Sequence, residues 1–217
     1  MIEILNLSGM YDEYDLSCFS DVSLLDLKGI PGTKLYVDSD GEKAIIEKIC
    51  HDGKAIFHLI DTGDYHYITR LYLYDIKDPF DLLIFDHHDD DQEPEFEGMR
   101  SCGSWIRDAL SDMPDTIAAV KLIKAKGEER MIRGSFDIKR PLYVSIDKDV
   151  LSKEVCPTDW DQGEMELLEM EEILKKETDN RRIIGVDICG GPAPSVPYDS
   201  SAIALNQEVD MAIIGFF

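Results

Sequence analysis

Apolar runs bounded by charged or turn residues recur along the chain. Residues 2–7, 34–37, 55–60, 82–85, 116–123, 142–146 and 183–188 have the length and composition of short buried strands. Between them the apolar positions shift to helical spacing. A helix is predicted from Asp38, with Ser39 as cap, Glu42 three residues on, then Ala44, Ile45, Lys48 and Ile49; His51-Asp52-Gly53 ends it. Residues 63–76 carry the stripe Tyr67, Ile68, Leu71 and Leu73 or Tyr74, which suits packing on a sheet, and Asp78-Pro79 stops it. Residues 104–110 read as another helix. The clearest is 164–177, EMELLEMEEILKKE, with Met165, Leu168 and Ile173 on one face, acids first and lysines last. Ser200 or Ser201 caps a last helix over 202–214. Residues 11–27 show no period, 89–97 form an acidic loop around Pro94, and 127–134 read as a charged turn region. Strands alternating with helices predict an α/β three-layer sandwich around a mainly parallel, doubly wound sheet. No repeat, low-complexity tract or linker interrupts it, so one domain is expected over 1–217.

Composition narrows the function. The net charge of −23 argues against nucleic acid or an anionic membrane as partner. Cys18, Cys50, Cys102, Cys156 and Cys189 are scattered, odd in number and without CxxC spacing. That pattern fits reduced thiols better than a disulfide framework. With no signal peptide or long apolar span visible, a cytoplasmic protein acting on a small molecule is expected, and assembly into a homo-oligomer stays open.

The candidate chemistry lies at strand ends. Residues 81–92 read DLLIFDHHDDDQ: an apolar run that breaks into Asp86, His87, His88, Asp89, Asp90 and Asp91. Crowded carboxylates disfavour joint ionisation, and a divalent cation removes that cost. In extended chain, alternate residues point the same way, so Asp86, His88 and Asp90 can converge while His87 points away. Taken alone, this DxHxD is equally well read as a solvated acidic turn. A second strand, 142–146, ends in Asp147 and Asp149. A third strand end supplies Gly63-Asp64-Tyr65-His66. In open α/β sheets, ligands bind outside the carboxyl ends of strands. Four carboxylates and two imidazoles without cysteine suit one or two ions such as Mn²⁺ better than a structural thiolate zinc site.

The order GD-x-H, DxHxD, S-x-DxD resembles that of the arginase/agmatinase superfamily, the ureohydrolases, over residues 55–190. The resemblance implies two manganese ions. One would be held by His66, Asp86, Asp90 and Asp147. The other would be held by Asp86, His88, Asp147 and Asp149, with Asp86 and Asp147 bridging. It implies further that hydroxide formed between the ions attacks a trigonal carbon, and that Asp90 passes a proton to the departing nitrogen. The expected activity is hydrolysis of a non-peptide C–N bond of guanidino, amidine or amide type.

The departures from the family pattern fall on the substrate side. Cys102-Gly103 stands where the family has His-Gly, whose histidine shuttles protons. Asp187-Ile188-Cys189-Gly190 lacks the glutamate that recognises guanidinium, and Val150-Leu151-Ser152 follows Asp149 in place of the family's continuation. The pocket wall is expected from Cys102, Trp160, Asp161 and Gly190, although Trp160 fits equally as core. Cys102 reads more simply as a small buried hydrophobe. Gly190 in place of a carboxylate leaves room and predicts poor turnover of arginine and agmatine, with Asp161 as the acid that could substitute. Two other readings remain: a catalytically silent metal-binding or regulatory homologue, and a zinc-type amide deacetylase on the related fold.

Overall fold

The computed structural model describes residues 1–49, 56–94, 96, 98–194 and 198–217. In chain order its elements are β1 (Ile2–Asn6), β2 (Val22–Asp26), β3 (Tyr36–Val37), α1 (Ser39–Ile46), β4 (Phe57–Ile60), α2 (Thr69–Leu73), β5 (Phe80–Phe85), β6 (Arg100–Ser101), α3 (Trp105–Asp112), β7 (Ile117–Ile123), β8 (Glu129–Arg133), β9 (Leu142–Asp147), α4 (Leu167–Thr178), β10 (Ile183–Cys189) and α5 (Ser200–Phe216). The main sheet has eight strands in the order β2-β1-β4-β10-β9-β5-β7-β8. Every pairing is parallel except β7 with β8. This is the mainly parallel α/β sandwich that the alternating pattern predicts.

Layering follows from the two-residue period of a strand. On β5, Leu82 and Ile84 join a core that holds Ile45, Leu71 and Trp105, from α1, α2 and α3. Leu83 and Phe85 join a second core with Met170, Leu174, Val209 and Ile213, from α4 and α5. All six β5 residues are buried, so the strand has no polar face and its sequence runs continuously apolar from Leu82. β9 and β10 lie between β4 and β5. The parallel ends of β4, β10, β9 and β5 therefore stand side by side on one edge, where ligands of such sheets bind.

Several local expectations are corrected. Residues 127–134 are not simply a charged turn; Glu129–Arg133 is an antiparallel edge strand. Its charges are tolerated because an edge strand faces water, and Lys121 of β7 reaches Glu129 at 3.4 Å. The 63–76 helix is split into a 3-10 stretch, Gly63–Ile68, and the short α2. The unperiodic 11–27 segment contains β2. The 34–37 strand contracts to β3, paired with β6 apart from the main sheet.

Helix ends and faces shift as well. Asp38, not Ser39, caps α1, its carboxylate accepting from the N–H groups of Asp40 and Gly41. Asp199, not Ser200 or Ser201, caps α5. An ionised carboxylate serves a helix N-terminus at least as well as a hydroxyl. On α4 the buried face is Met170, Leu174 and Glu177; Leu168 is 73% exposed, and Met165 is buried before the helix, bridging Leu151. The sequence-read stop at His51-Asp52-Gly53, together with Cys50, Ala55, Glu95 and Glu97, lies outside the described residues. The four described cysteines are free. No helix among the described residues is long and apolar enough to cross a membrane.

Candidate metal centre

Three strand ends deliver the six candidate ligands. β4 leads into the 3-10 stretch that carries His66. Asp86 is the first residue beyond β5, and Asp147 is the last of β9. His66 Nδ1 lies 3.2 Å from Asp86 Oδ2, 3.3 Å from Asp90 Oδ2 and 3.5 Å from Asp147 Oδ2. His88 Nδ1 lies 2.7 Å from Asp149 Oδ2 and 3.7 Å from Asp86 Oδ1. Two groups thus offer convergent ligand atoms, His66–Asp86–Asp147 and Asp86–His88–Asp149, and Asp86 belongs to both. Asp90 completes the ring around His66, though it falls outside these two tightest groups.

The route to convergence is not the one that strand alternation suggests. β5 ends at Phe85, and the DxHxD residues form a turn in which Asp90 takes a left-handed φ of 48°. Aspartate tolerates that region better than most residues. Backbone hydrogen bonds hold the turn: the His88 N–H donates to Asp86 Oδ1 at 2.6 Å and the His87 N–H to Asp149 Oδ1 at 2.9 Å. The second ligand turn is tied likewise, with the Asp149 N–H donating to Asp147 Oδ1 at 3.0 Å. The His87 ring stays outside both groups.

Side chains behind the ligands orient them. His66 Nε2 is 2.9 Å from Ser145 Oγ, which leaves Nδ1 for the carboxylates. Trp105 Nε1 donates to Asp90 Oδ2 at 2.9 Å. Ser145 was visible in the S-x-DxD spacing; nothing in the sequence tied Trp105 to Asp90.

The electrostatics test whether a cation fits. Asp86, Asp90, Asp147 and Asp149 are buried, and among the described residues no lysine or arginine bonds any of them. His66 Nδ1 and Asp86 Oδ2 are buried without a well-directed hydrogen bond. Burial, then Asp90 and Asp149, hold Asp86 well above the usual carboxylate range. Burial and the Asp149 charge push Asp147 up to about 8. His66 is raised well above its usual value: burial opposes its protonation, but the carboxylates of Asp86, Asp90 and Asp147 overcome it. A group of acids that resists joint ionisation, with unpaired buried atoms at its middle, fits divalent cations.

Beside the ligands lies a cavity of about 310 Å³, walled by Leu35, Tyr36, Gln92, Ser101, Cys102 and Trp160. The sequence reading placed only Cys102 and Trp160 there. Of the other four, Leu35, Tyr36 and Ser101 come from β3, β6 and their flanks, whose pairing is nonlocal, and Gln92 from the loop beyond the β5 ligand turn. Trp160 packs over Gly63: a Cβ on Gly63 would come within 2.8 Å of its ring. Burial, followed by the Asp90 charge, raises the Cys102 thiol and keeps it protonated. Asp161 does not wall the cavity; its Oδ1 lies 3.1 Å from His88 Nε2, on the far side of that ring from Asp149. Gly190 does not open space either. Its φ is 89°, and a Cβ there would stand 2.4 Å from Asp147 Oδ1 and 2.8 Å from the Lys148 nitrogen.

No family model matches the sequence. An uncharacterized protein of Thermotoga maritima is 31% identical over 204 residues, covering 89% of this chain and 80% of that one. The chain belongs to one family with that protein. Among solved structures it is similar to arginase from Bacillus subtilis, at 12% identity and a TM-score of 0.63, over 99% of this chain and 97% of that one. A hypothetical agmatinase from Burkholderia thailandensis superposes at 16% identity and 0.61, over 99% and 85%. Formimidoylglutamase from Bacillus subtilis gives 13% and 0.61, over 96% and 84%. The ureohydrolase fold is therefore present in a divergent sequence.

Proposed function

We propose that this protein is a manganese-dependent hydrolase that cleaves a non-peptide C–N bond in a small molecule, as the arginase-type enzymes of the same fold do. The observation that carries this reading is the pair of ligand groups sharing Asp86 at the ends of β4, β5 and β9. His66, Asp86, Asp90 and Asp147 would hold one ion, and Asp86, His88, Asp147 and Asp149 the other. When bound, two such ions supply Lewis acidity and lower the pKa of water.

The chain's own residues do the rest. Asp90 borders the cavity with Oδ2 anchored by Trp105, so its carboxylate is oriented to take a proton and return it to the leaving nitrogen. Trp160, Leu35 and Tyr36 exclude water from one side. The protonated Cys102 thiol supplies a weak donor and no base at neutral pH. Beyond the ligands, the one carboxylate among the described lining residues is Glu93, which is mostly exposed and paired with Arg107. Among the described residues a guanidinium therefore finds no buried carboxylate partner beyond the ligands, and arginine and agmatine are expected to be poor substrates compared with a less cationic amide or amidine. The free thiols and the acidic surface support a cytoplasmic setting.

The test is metal analysis of the purified protein, followed by a screen of guanidino, ureido, formimino and acyl-amide compounds for released urea, ammonia or amine. Two equivalents of Mn²⁺ and turnover of a non-guanidino compound are expected. Efficient arginine hydrolysis would overturn the substrate preference, and failure to bind any divalent ion would overturn the function.

A further inference from the structure

Between the two ligands at the end of β9 stands a residue that the metal chemistry does not use. Lys148 is buried, 1% exposed, and its chain neighbours are Asp147 and Asp149. Its side chain runs toward α5, away from the cavity that Asp147 and Asp149 line. There Lys148 Nζ donates to Asp210 Oδ1 at 2.6 Å. Asp210 lies on α5 and is also fully buried; its Oδ2 accepts from the Tyr14 hydroxyl at 3.0 Å. The ligand turn Lys148–Val150 is thus pinned to the C-terminal helix on one side and pressed by Gly190 on the other, where not even a Cβ would fit.

Stability alone is a weak reason for such a pair. A buried lysine–aspartate bridge can often be replaced by apolar residues with no loss of fold. A fixed anchor for the residue between two ligands has a different effect. A backbone rotation at Lys148 turns Asp149 relative to Asp147, and the Nζ–Asp210 bond opposes it. We propose that Lys148 and Asp210 are positioning residues, which set the orientation of Asp147 and Asp149 and couple the docking of α5 to metal affinity. This rests on the metal-centre reading above. Coupling of this kind is reciprocal: if α5 holds the ligands in place, a bound ion must hold α5.

Two measurements test it, with Mn²⁺ alone as the probe. The first uses the variant Lys148→Met/Asp210→Leu, which removes both charges and leaves every ligand in place. Metal-free melting by circular dichroism reports its fold, and the electron paramagnetic resonance signal of free Mn²⁺ reports affinity. The folded variant is expected to bind Mn²⁺ roughly 10–100-fold more weakly than the unaltered protein, the range for residues that orient metal ligands. Unaltered affinity in a folded variant overturns the proposal and leaves the metal centre standing. The second needs no substitution. Adding Mn²⁺ to the unaltered protein should slow amide hydrogen exchange around Asp210 on α5 roughly tenfold more than on α4. Equal slowing of the two helices overturns the coupling, whatever the fate of the variant. Absence of any Mn²⁺ binding removes the metal centre and this proposal together.

Discussion

β5 carries an aspartate near each end, and the two are treated in opposite ways. Asp81, at the start of the strand, is fully buried. Arg140 Nε donates to its Oδ1 at 2.6 Å, and Arg181 Nη2 and the Asp137 N–H donate to its Oδ2 at 2.7 and 2.9 Å. Asp86, just past the other end, is equally buried, yet among the described residues no arginine or lysine bonds it and its Oδ2 meets only His66 Nδ1, at 3.2 Å and without a well-directed hydrogen bond. The protein thus has the means to neutralise a buried carboxylate on this strand and uses them at one end only. Burying charge without a partner is costly, so the uncompensated end is where an external cation is expected. Residue type and burial do not separate the two positions; the identity of the neutralising group does.

The largest expected effect is at the uncompensated end. Asp86→Asn should lose both ions, because the residue belongs to both ligand groups, while metal-free stability holds or rises as like-charge repulsion is relieved; metal analysis and urea denaturation check the two halves. Tight Mn²⁺ binding by Asp86→Asn would break the comparison. Asp81→Asn should do the reverse. It breaks a buried, doubly paired carboxylate and should cost about 3–5 kcal/mol in urea unfolding, with Mn²⁺ stoichiometry unchanged.

Next in size is the metal's own contribution. Mn²⁺ at about 100 times its Kd should stabilise the unaltered protein and the Asp81 variant alike by about 2.7 kcal/mol per bound ion and Asp86→Asn not at all, read as a melting shift against a chelator control. The smallest effect is at Trp105→Phe. That change removes one hydrogen bond to a carboxylate, worth about 1.5–3 kcal/mol, and leaves the aromatic packing. The variant should retain both ions while turnover falls roughly tenfold, tested by steady-state kinetics once a substrate is found.

What the sequence carries and what it hides divide along the range of the interactions. The strands β1, β5, β7, β9 and β10 were legible because each is a short local stretch made mostly of apolar residues. The ligands were legible because three motifs sit at fixed distances from strand ends. β8 was hidden because an edge strand with charges facing water has the composition of a turn. The bend at Asp90 was hidden because motif spacing looks the same in extended and turned chain. The partners that orient the site come from distant segments: Trp105 reaches Asp90, and Asp210 reaches Lys148 across 62 positions. Asp161 is expected on the pocket wall because its segment matches a substrate-side loop of the resembling family, but its exposed carboxylate pairs with His88 Nε2 in place of facing the cavity.

Gly190 bears on how this sequence can change over generations. The resemblance to the ureohydrolases implies a guanidinium-binding glutamate at the matching place. Here the first step toward one is blocked. Any replacement must accept a left-handed backbone and bring its first carbon within 2.4 Å of Oδ1 of Asp147, a candidate ligand. A lineage at this point would disturb the candidate metal centre before gaining any selectivity for a cationic head group. New substrate preferences are then open to it chiefly through β3, β6 and the Cys102 loop, whose side chains wall the cavity without touching Asp147. Selection and laboratory evolution alike should find their productive changes there.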